Sequence, residues 1–339
     1  MARPGGWRRR GSRGRFRYVD ARGAPIEDER ALARVAALRI PPAWRDVWIS
    51  PNPRARLQAT GVDAAGRRQY LYHPEYRAAQ ERAKFERLVR FGERLPALRE
   101  AMSADMELGA VERDRVCAVA LRLVNEAWFR VGSERYARSS RTFGITTLRR
   151  RHLVVRGSRI ELRFRAKHSV LVRSTLVDEE LAGAVRDLLE LPGDRRVFRY
   201  RNGERLVPLT GAALNEYVRR FLGEEFTTKD FRTWGGTLAA AVALAERGPA
   251  ETEAEARRAV AAAMRAAARV LGNTPAVARS SYVSPAVVEQ YLDGRTLEDF
   301  RARKLRVVRA RGVGLDPEER ALLSLLRSWR IRNGRARAA

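Results

Sequence analysis

Residues 153–172 read LVVRGSRIELRFRAKHSVLV. Leu153 and Val155, then Ile160, Leu162 and Phe164, alternate with polar Glu161, Arg163 and Arg165, the period of two expected of half-buried strands. Gly157-Ser158 supplies one turn, and Ala166-Lys167-His168-Ser169 supplies a second that leads into Val170 to Val172. The stretch predicts a three-stranded antiparallel sheet with Lys167 on a hairpin tip.

On either side the period changes to that of a helix. Residues 75–100 read as a helix, and a second runs from about Val111 to Phe129, with Val116, Val119, Ala120, Leu123, Val124 and Ala127 at helical spacing. Cys117 falls on this apolar helix and reads as core. From Asp178 onward the pattern is helical almost throughout, with alanine-rich runs at 238–245 and 254–271. An amphipathic helix from about Pro317 to Trp329 closes a basic tail.

The amino-terminal region differs. Arginines crowd residues 1–17 among Gly, Pro and Ser, which predicts a disordered basic arm. Residues 27–38, EDERALARVAAL, place Ala31, Val35 and Leu38 on one face behind an acidic first turn. Prolines 41, 42, 51 and 53 then break any helix. Val47 to Ile49 suggest a strand, and Arg56 to Thr60 with Arg68 to Tyr72 flank a Gly61 to Gly66 turn as a hairpin. The expected organisation is a disordered arm over 1–22, a β-rich domain over 23–96, a mainly helical domain with the three-stranded sheet over 97–300, and a basic helix and tail over 301–339. The class is α+β.

Composition narrows the function. Among 339 residues, 68 Lys+Arg stand against 40 Asp+Glu, a net charge of +28, while a hydrophobic content of 45% is enough to fold. Such a balance points to nucleic acid as partner. No stretch approaches the ~20 apolar residues of a membrane span, and no apolar run follows the arginine-rich start, so the expected location is the cytoplasm, on the nucleoid. One cysteine and three scattered histidines leave few ligands for zinc, and no P-loop pattern occurs, so neither a metal nor another cofactor is expected. Only four of the basic residues are lysine (Lys84, Lys167, Lys229 and Lys304). Lysine can give up its proton where arginine cannot, so Lys167 and Lys229 are candidates for proton transfer or point-charge contacts, chance placement being the alternative.

The segment VLGNTPAVARSSYVSP, residues 270–285, ends a helix at Gly272, turns through Asn273-Thr274-Pro275 and presents Tyr282. A tyrosine oxygen can attack a phosphodiester when positive charge stabilises the phenolate and the transition state. Arg130 in WFRVGSERY, Lys167 and Arg232 in TKDFRTWGGT precede it along the chain.

Taken in order, LRIPPAWRDVWISPNPRARLQATGVDAAGRRQYLYHP, FRVGSERY, TFGITTLRRRHLVV, FRAKH, TKDFRTWG and LGNTPAVARSSY resemble successive blocks of the type IB DNA topoisomerases, in the compact branch of bacteria and poxviruses. The resemblance runs from about Leu38 to Tyr291. It implies a monomeric two-domain clamp around duplex DNA that relaxes supercoils without ATP or metal. It also implies that Tyr282 forms a 3′-phosphotyrosyl bond, that Arg130 and Arg232 contact nonbridging phosphate oxygens, that Lys167 protonates the leaving 5′-oxygen, and that Asn273 donates a hydrogen bond to the phosphate. Tyr136 and Lys229 resemble phosphate-contacting positions, and Arg67, Gln69, Tyr70 and Tyr72 lie in a segment that the resemblance places on the major-groove side.

Two positions depart from the family pattern. Asn273 stands where many members have histidine, and Ala166 where glycine usually precedes the lysine; alanine serves there unless φ is positive. Two other readings remain at this point. A tyrosine recombinase shares the chemistry but usually shows HxxR where this chain has Lys229-Asp230-Phe231-Arg232, and a non-enzymatic DNA-compacting protein accounts for the charge but not for the ordered blocks.

Overall fold

The computed structural model of the chain describes residues 5–12, 14–109, 111–193, 195–301 and 313–338. It is α+β and divides into two compact units, Met1–Lys84 and Phe85–Ala339.

The first unit comprises strands β1 (Trp7–Arg10) and β2 (Arg17–Val19), helix α1 (Glu29–Ala37), and strands β3 (Arg45–Ile49), β4 (Leu57–Val62) and β5 (Arg68–Tyr72). The strands form one antiparallel sheet in the order β2-β1-β3-β4-β5. Directly opposed residues share a face. Trp7, Ile49, Ala59 and Leu71 form one such row, and together with Val35 of α1 and Ile40 they make the small core. The adjacent row, Arg8, Trp48, Thr60 and Tyr70, faces the other way. Asp28 caps α1 by accepting from the Arg30 amide at 2.9 Å, which satisfies one orphan donor of the first turn.

The disordered arm expected over 1–22 is not what forms: β1 and β2 occupy much of it, although residues 1–4 and 13 lie outside the described residues. The cause is a period-two pattern hidden by the arginines. Arg9 and Tyr18 pair on the core side, where the Arg9 guanidinium donates to the Pro41 carbonyl at 3.2 Å and to that of Trp44, and lies 4.1 Å over the Phe16 ring. An arginine whose two terminal nitrogens are taken up by backbone carbonyls in this way behaves as a strand residue.

Helix α2 (Pro74–Met106) is longer than the 75–100 expected, and the boundary between units falls within it after Lys84, not at 96. Phe85, Leu88, Phe91, Leu95, Leu98 and Met102 are buried in the large core, so everything from Phe85 onward is held by the second unit. Burying each such side chain contributes roughly 1.5–3 kcal/mol.

The second unit continues through α3 (Arg113–Ala127) and α4 (Glu134–Ser139) to β6 (Leu153–Arg156), β7 (Arg159–Arg165) and β8 (Leu171–Val177). These three strands form the expected antiparallel sheet, with Leu153 opposite Leu162 and Phe164 opposite Val172. Lys167 lies in the 3-10 turn Lys167–Ser169 that joins β7 to β8. Helix α5 (Glu179–Glu190) follows, then a hairpin of β9 (Arg199–Asn202) and β10 (Arg205–Pro208). That hairpin corrects the reading of the stretch after Asp178 as helical almost throughout. Its signal is Gly203-Glu204, the two-residue turn that joins the paired Asn202 and Arg205, with Gly203 at φ +60° in the first turn position.

The remaining helices are α6 (Gly211–Leu222), α7 (Thr228–Ala245), α8 (Glu253–Leu271), α9 (Pro275–Ser281), α10 (Pro285–Leu292) and α11 (Pro317–Ala338). The Phe91 ring meets Phe231 edge-on at 5.1 Å and Trp234 at 5.9 Å, which seats α7 against α2. Helix α11 packs on the core through Leu322, Leu325 and Leu326, all nearly fully buried. Residues 302–312 of the basic tail lie outside the described residues.

Candidate active site

Helix α7 begins with a capping box in which Thr227 and Asp230 satisfy each other's backbone donors. This start sets Arg232 on the second turn, facing the interior at only 5% exposure. Its Nη2 donates to the Leu271 carbonyl at 2.7 Å, its Nη1 donates to the Trp128 carbonyl, and its guanidinium carbon sits 5.0 Å over the Tyr282 ring.

Both carbonyls come from chain ends forced open. Trp128 ends α3 in the left-handed region, φ 51° and ψ 35°, which leaves its carbonyl outside the helical ladder. Leu271 ends α8, where Gly272 at φ 59° lets the Asn273 amide reach the Ala268 carbonyl at 2.9 Å and its own amide reach Arg269 at 3.2 Å. This is a Schellman stop, and glycine is the residue that adopts it without Cβ strain.

The same stop aims Asn273. Its Oδ1 accepts from Arg130 Nη2, and Arg130 also donates to the Gly272 carbonyl at 3.4 Å. Thr274 then caps α9, accepting from the Val277 amide at 3.3 Å, and Pro275 takes the first helical position. Seven residues later α9 ends at Tyr282. Thr237 of α7 fastens that end: its hydroxyl hydrogen-bonds the carbonyl of Tyr282 at 3.1 Å and accepts from the Ser284 amide at 3.1 Å. Gly235 and Gly236 make the approach possible, since a Cβ there would lie 2.3 Å from the Trp128 ring and 3.0 Å from the Tyr282 carbonyl.

Arg130, Arg232, Asn273 and Tyr282 are therefore brought together from four separate parts of the chain. Burial, reinforced by the like charge of Arg130, pulls the Arg232 guanidinium down to about 10, with Tyr282 opposing the shift. Burial lowers Arg130 as well, again opposed by Tyr282. The acceptors named for the two arginines are carbonyl and amide oxygens, so no carboxylate among them balances the paired charge. Among the described residues, Arg232 Nε and Asn273 Nδ2 are buried donors with no acceptor. Two adjacent cations and two unsatisfied donors are what a tetrahedral anion would complete.

A cleft of about 500 Å³ runs past Arg130, Arg232 and Gly272 and is lined on its other side by Ala166 and Val170, which bracket the turn of Lys167. Lys167 itself is exposed and is not among the residues that line the cleft. Ala166 is extended at φ −89°, so the missing glycine costs nothing there; the left-handed residues of the turn are His168 at 61° and Ser169 at 58°. Tyr136 lies half-buried on α4, and Lys229 lies exposed on the first turn of α7.

In the first unit, Arg67 and Gln69 both serve Asp63: Arg67 Nε donates to Oδ2 at 2.7 Å and Gln69 Nε2 donates to the same oxygen at 2.8 Å. These bonds hold the Asp63 carboxyl well below the usual carboxylate range. Tyr70 and Tyr72 project from the opposite face of β5, stacked with centroids 6.2 Å apart, and Arg68 exposes itself beside them. Trp128, Thr237 and Arg68 were not singled out by the sequence. The signal for Trp128 is absent from periodicity, since a left-handed tryptophan is not legible in a helix pattern.

The profile of the eukaryotic DNA topoisomerase I catalytic core matches residues 73–306, and that of the bacterial DNA topoisomerase IB N-terminal domain matches residues 15–63. The DNA topoisomerase 1B of Acanthamoeba polyphaga mimivirus is 34% identical over 268 residues, covering 77% of this chain and 80% of the viral one. The DNA topoisomerase I of monkeypox virus is 21% identical over 283 residues, and the DNA topoisomerase 1B of vaccinia virus strain Copenhagen is 21% identical over 286, each covering 81% of this chain and 86% of its own. Two profiles in the expected order, together with a relative this similar over most of both chains, place the sequence: it belongs to the type IB DNA topoisomerase family.

Proposed function

We propose that the protein relaxes positive and negative supercoils by cutting one strand of duplex DNA through Tyr282, letting the free end rotate, and resealing it. The observation that carries this reading is the convergence of Arg130, Arg232 and Asn273 on Tyr282, with two buried donors awaiting acceptors.

Each residue then has one task. The Tyr282 hydroxyl gives up its proton to solvent as its oxygen attacks phosphorus, forming the 3′-phosphotyrosyl bond while the bond from phosphorus to the 5′-oxygen breaks. Arg130 and Arg232 exchange their carbonyl acceptors for the nonbridging oxygens and stabilise the added charge, a role worth several kcal/mol in a site of low dielectric. Asn273 donates through Nδ2, since an amide supplies neither charge nor a proton. Lys167, on a turn bordering the cleft, gives its proton to the departing 5′-oxygen. Resealing runs the same steps backward. One ester replaces another, so neither ATP nor a metal is called for, and a single copy of the chain suffices to act on DNA in the cytoplasm.

The test is relaxation of negatively and positively supercoiled plasmid in EDTA without ATP, comparing the natural chain with Tyr282→Phe. Relaxation of both signs that disappears in Tyr282→Phe supports the proposal. Binding without relaxation, or recombinant joints in its place, overturns it.

A further inference from the structure

A backbone segment between α4 and β6 ties the turn of Lys167 to the phosphate clamp. Strand β6 begins at Leu153, opposite Leu162, so the edge of β7 on that side has no β6 partner over 163–165. The Phe143 amide closes it by donating to the Arg165 carbonyl at 2.7 Å, two residues before Lys167. Further along the same segment, the Ile145 amide donates to the Arg130 carbonyl at 3.0 Å. The amide and hydroxyl of Thr146 donate to the Val131 carbonyl at 2.8 and 2.9 Å. One end of the segment is thus bonded to the strand that leads into Lys167, and the other to the backbone that bears Arg130.

Thr147 holds the segment in shape. Its hydroxyl accepts from the Gly144 amide at 3.0 Å and donates to the Gly144 carbonyl at 3.0 Å, while its own amide donates to that carbonyl at 2.8 Å. Gly144 is extended, φ −149° and ψ 179°, a conformation open to any residue. Close approach is what calls for glycine there, since a Cβ would lie 2.5 Å from the Arg130 carbonyl oxygen and from the Gly132 nitrogen. Arg130 has further anchors, because its side chain donates to the Gly272 carbonyl and to Asn273. The Lys167 turn depends on the bond from Phe143: past Phe164, whose ring meets Phe129 edge-on at 5.7 Å, that bond holds β7 from outside its sheet.

We infer that Thr147 is a positioning residue for proton transfer, fixing the Lys167 turn relative to Arg130 through Gly144 and Phe143. The inference rests on the strand-cutting reading above and deepens it. As the bond from phosphorus to the 5′-oxygen breaks, its electron pair passes to oxygen and the Lys167 ammonium supplies the proton, leaving a 5′-hydroxyl and a neutral amine. Such a transfer is worth about 10²–10⁴-fold in rate and requires reach, so a shift of about 1 Å at the turn costs up to about a hundredfold. The Thr147 hydroxyl is taken up by Gly144 on both sides, so it acts through the backbone and not on the phosphate.

The experiment measures single-turnover formation of the Tyr282 adduct by the full chain, at saturating protein, on a duplex carrying its mapped cleavage site. A second duplex has sulfur in place of the 5′-oxygen at the scissile phosphate. A thiol ionises near about 8.5 and its sulfur leaves without a proton, whereas a hydroxyl, at about 15.7 in water itself, needs one. Thr147→Val keeps the shape and removes both hydroxyl bonds. It is expected to slow the oxygen substrate about ten- to a hundredfold and the sulfur substrate less than about threefold, with DNA affinity unchanged and Thr147→Ser close to the natural rate. Lys167→Ala should show the same selectivity more strongly. Should Thr147→Val not fold, Thr147→Cys makes the same comparison, its thiol being a weak donor and acceptor. Equal slowing of the two substrates by the Thr147 variant, or slowing of neither, overturns the inference while strand cutting stands. Failure of sulfur to rescue Lys167→Ala removes the proton-transfer role and the positioning with it. If the natural chain forms no adduct on either substrate, strand cutting itself fails.

Discussion

The indole N–H of Trp234 donates to Oε1 of Glu319 at 3.0 Å, and the two carboxylate oxygens of Glu319 also accept from Arg99 at 2.7 and 2.8 Å. Trp234 is two residues past Arg232 on α7, so the carboxyl-terminal helix α11 is joined through one buried carboxylate to the helix that bears a candidate phosphate clamp. Asn125 of α3 completes the network by accepting from Arg99 at 3.2 Å.

Removing one member of such a network leaves the others buried and uncompensated. Glu319→Ala should lower stability by about 3–5 kcal/mol, read from denaturant unfolding. Burial pushes the Glu319 carboxyl up, but the bonds and charge of Arg99 and the bond from Trp234 outweigh it, so the net shift is downward. A carboxyl depressed in the folded state stabilises above its unfolded value of about 4.3, and that contribution is lost as pH falls through the folded value. Glu319→Ala should therefore lose its disadvantage in strong acid.

His152 sets a second pH dependence, of a different origin. Its ring is buried 4.4 Å from the Phe143 ring, and Nδ1 accepts from the Arg149 amide at 3.1 Å, so it folds neutral. Burial, helped by Arg151 and Arg149, brings it down to about 4. The unfolded chain then binds a proton that the folded chain refuses, so stability falls as pH drops from about 6.5 toward 4, by about 3 kcal/mol in all. His152→Phe should flatten unfolding free energy over that window.

Thr237 is fully buried and joins α7 to the backbone of Tyr282 and Ser284. Thr237→Val keeps the shape and strands both partners, at a cost of about 1–3 kcal/mol. Loosening Tyr282 in this way should slow single-turnover adduct formation roughly ten- to a hundredfold while leaving DNA affinity unchanged. An unaltered rate would show that Thr237 does not position the tyrosine.

Asp63 neutralises Arg67 across a 2.6 Å ion pair and holds Gln69. Asp63→Asn removes one negative charge from the β4–β5 turn and releases the Arg67 charge. Tighter DNA binding is expected, with a salt slope steeper by about 0.9. No change would mean that Arg67 lies away from the duplex.

The elements themselves were legible because their causes are local. Alternation over 153–172 marked the three strands and the Lys167 turn, helical spacing marked α3, and the Asn273-Thr274-Pro275 sequence marked the end of α8. Strands β3 to β5 were legible as well, but β1 and β2 were not, since arginine reads as solvent-facing until the carbonyls that take up Arg9 are known.

By itself the sequence determined the α+β class, the two-part organisation, the charge that calls for a polyanion, and the residue types able to cut and hold a phosphodiester. Tertiary structure alone decided that Arg130, Arg232, Asn273 and Tyr282 meet, that Arg67 and Gln69 turn to Asp63, and that α11 packs on the core. The physical reason is range. Strand and helix periods arise from neighbouring residues, whereas a guanidinium between the carbonyls of Trp128 and Leu271 depends on helices that reach one another only once the core has closed.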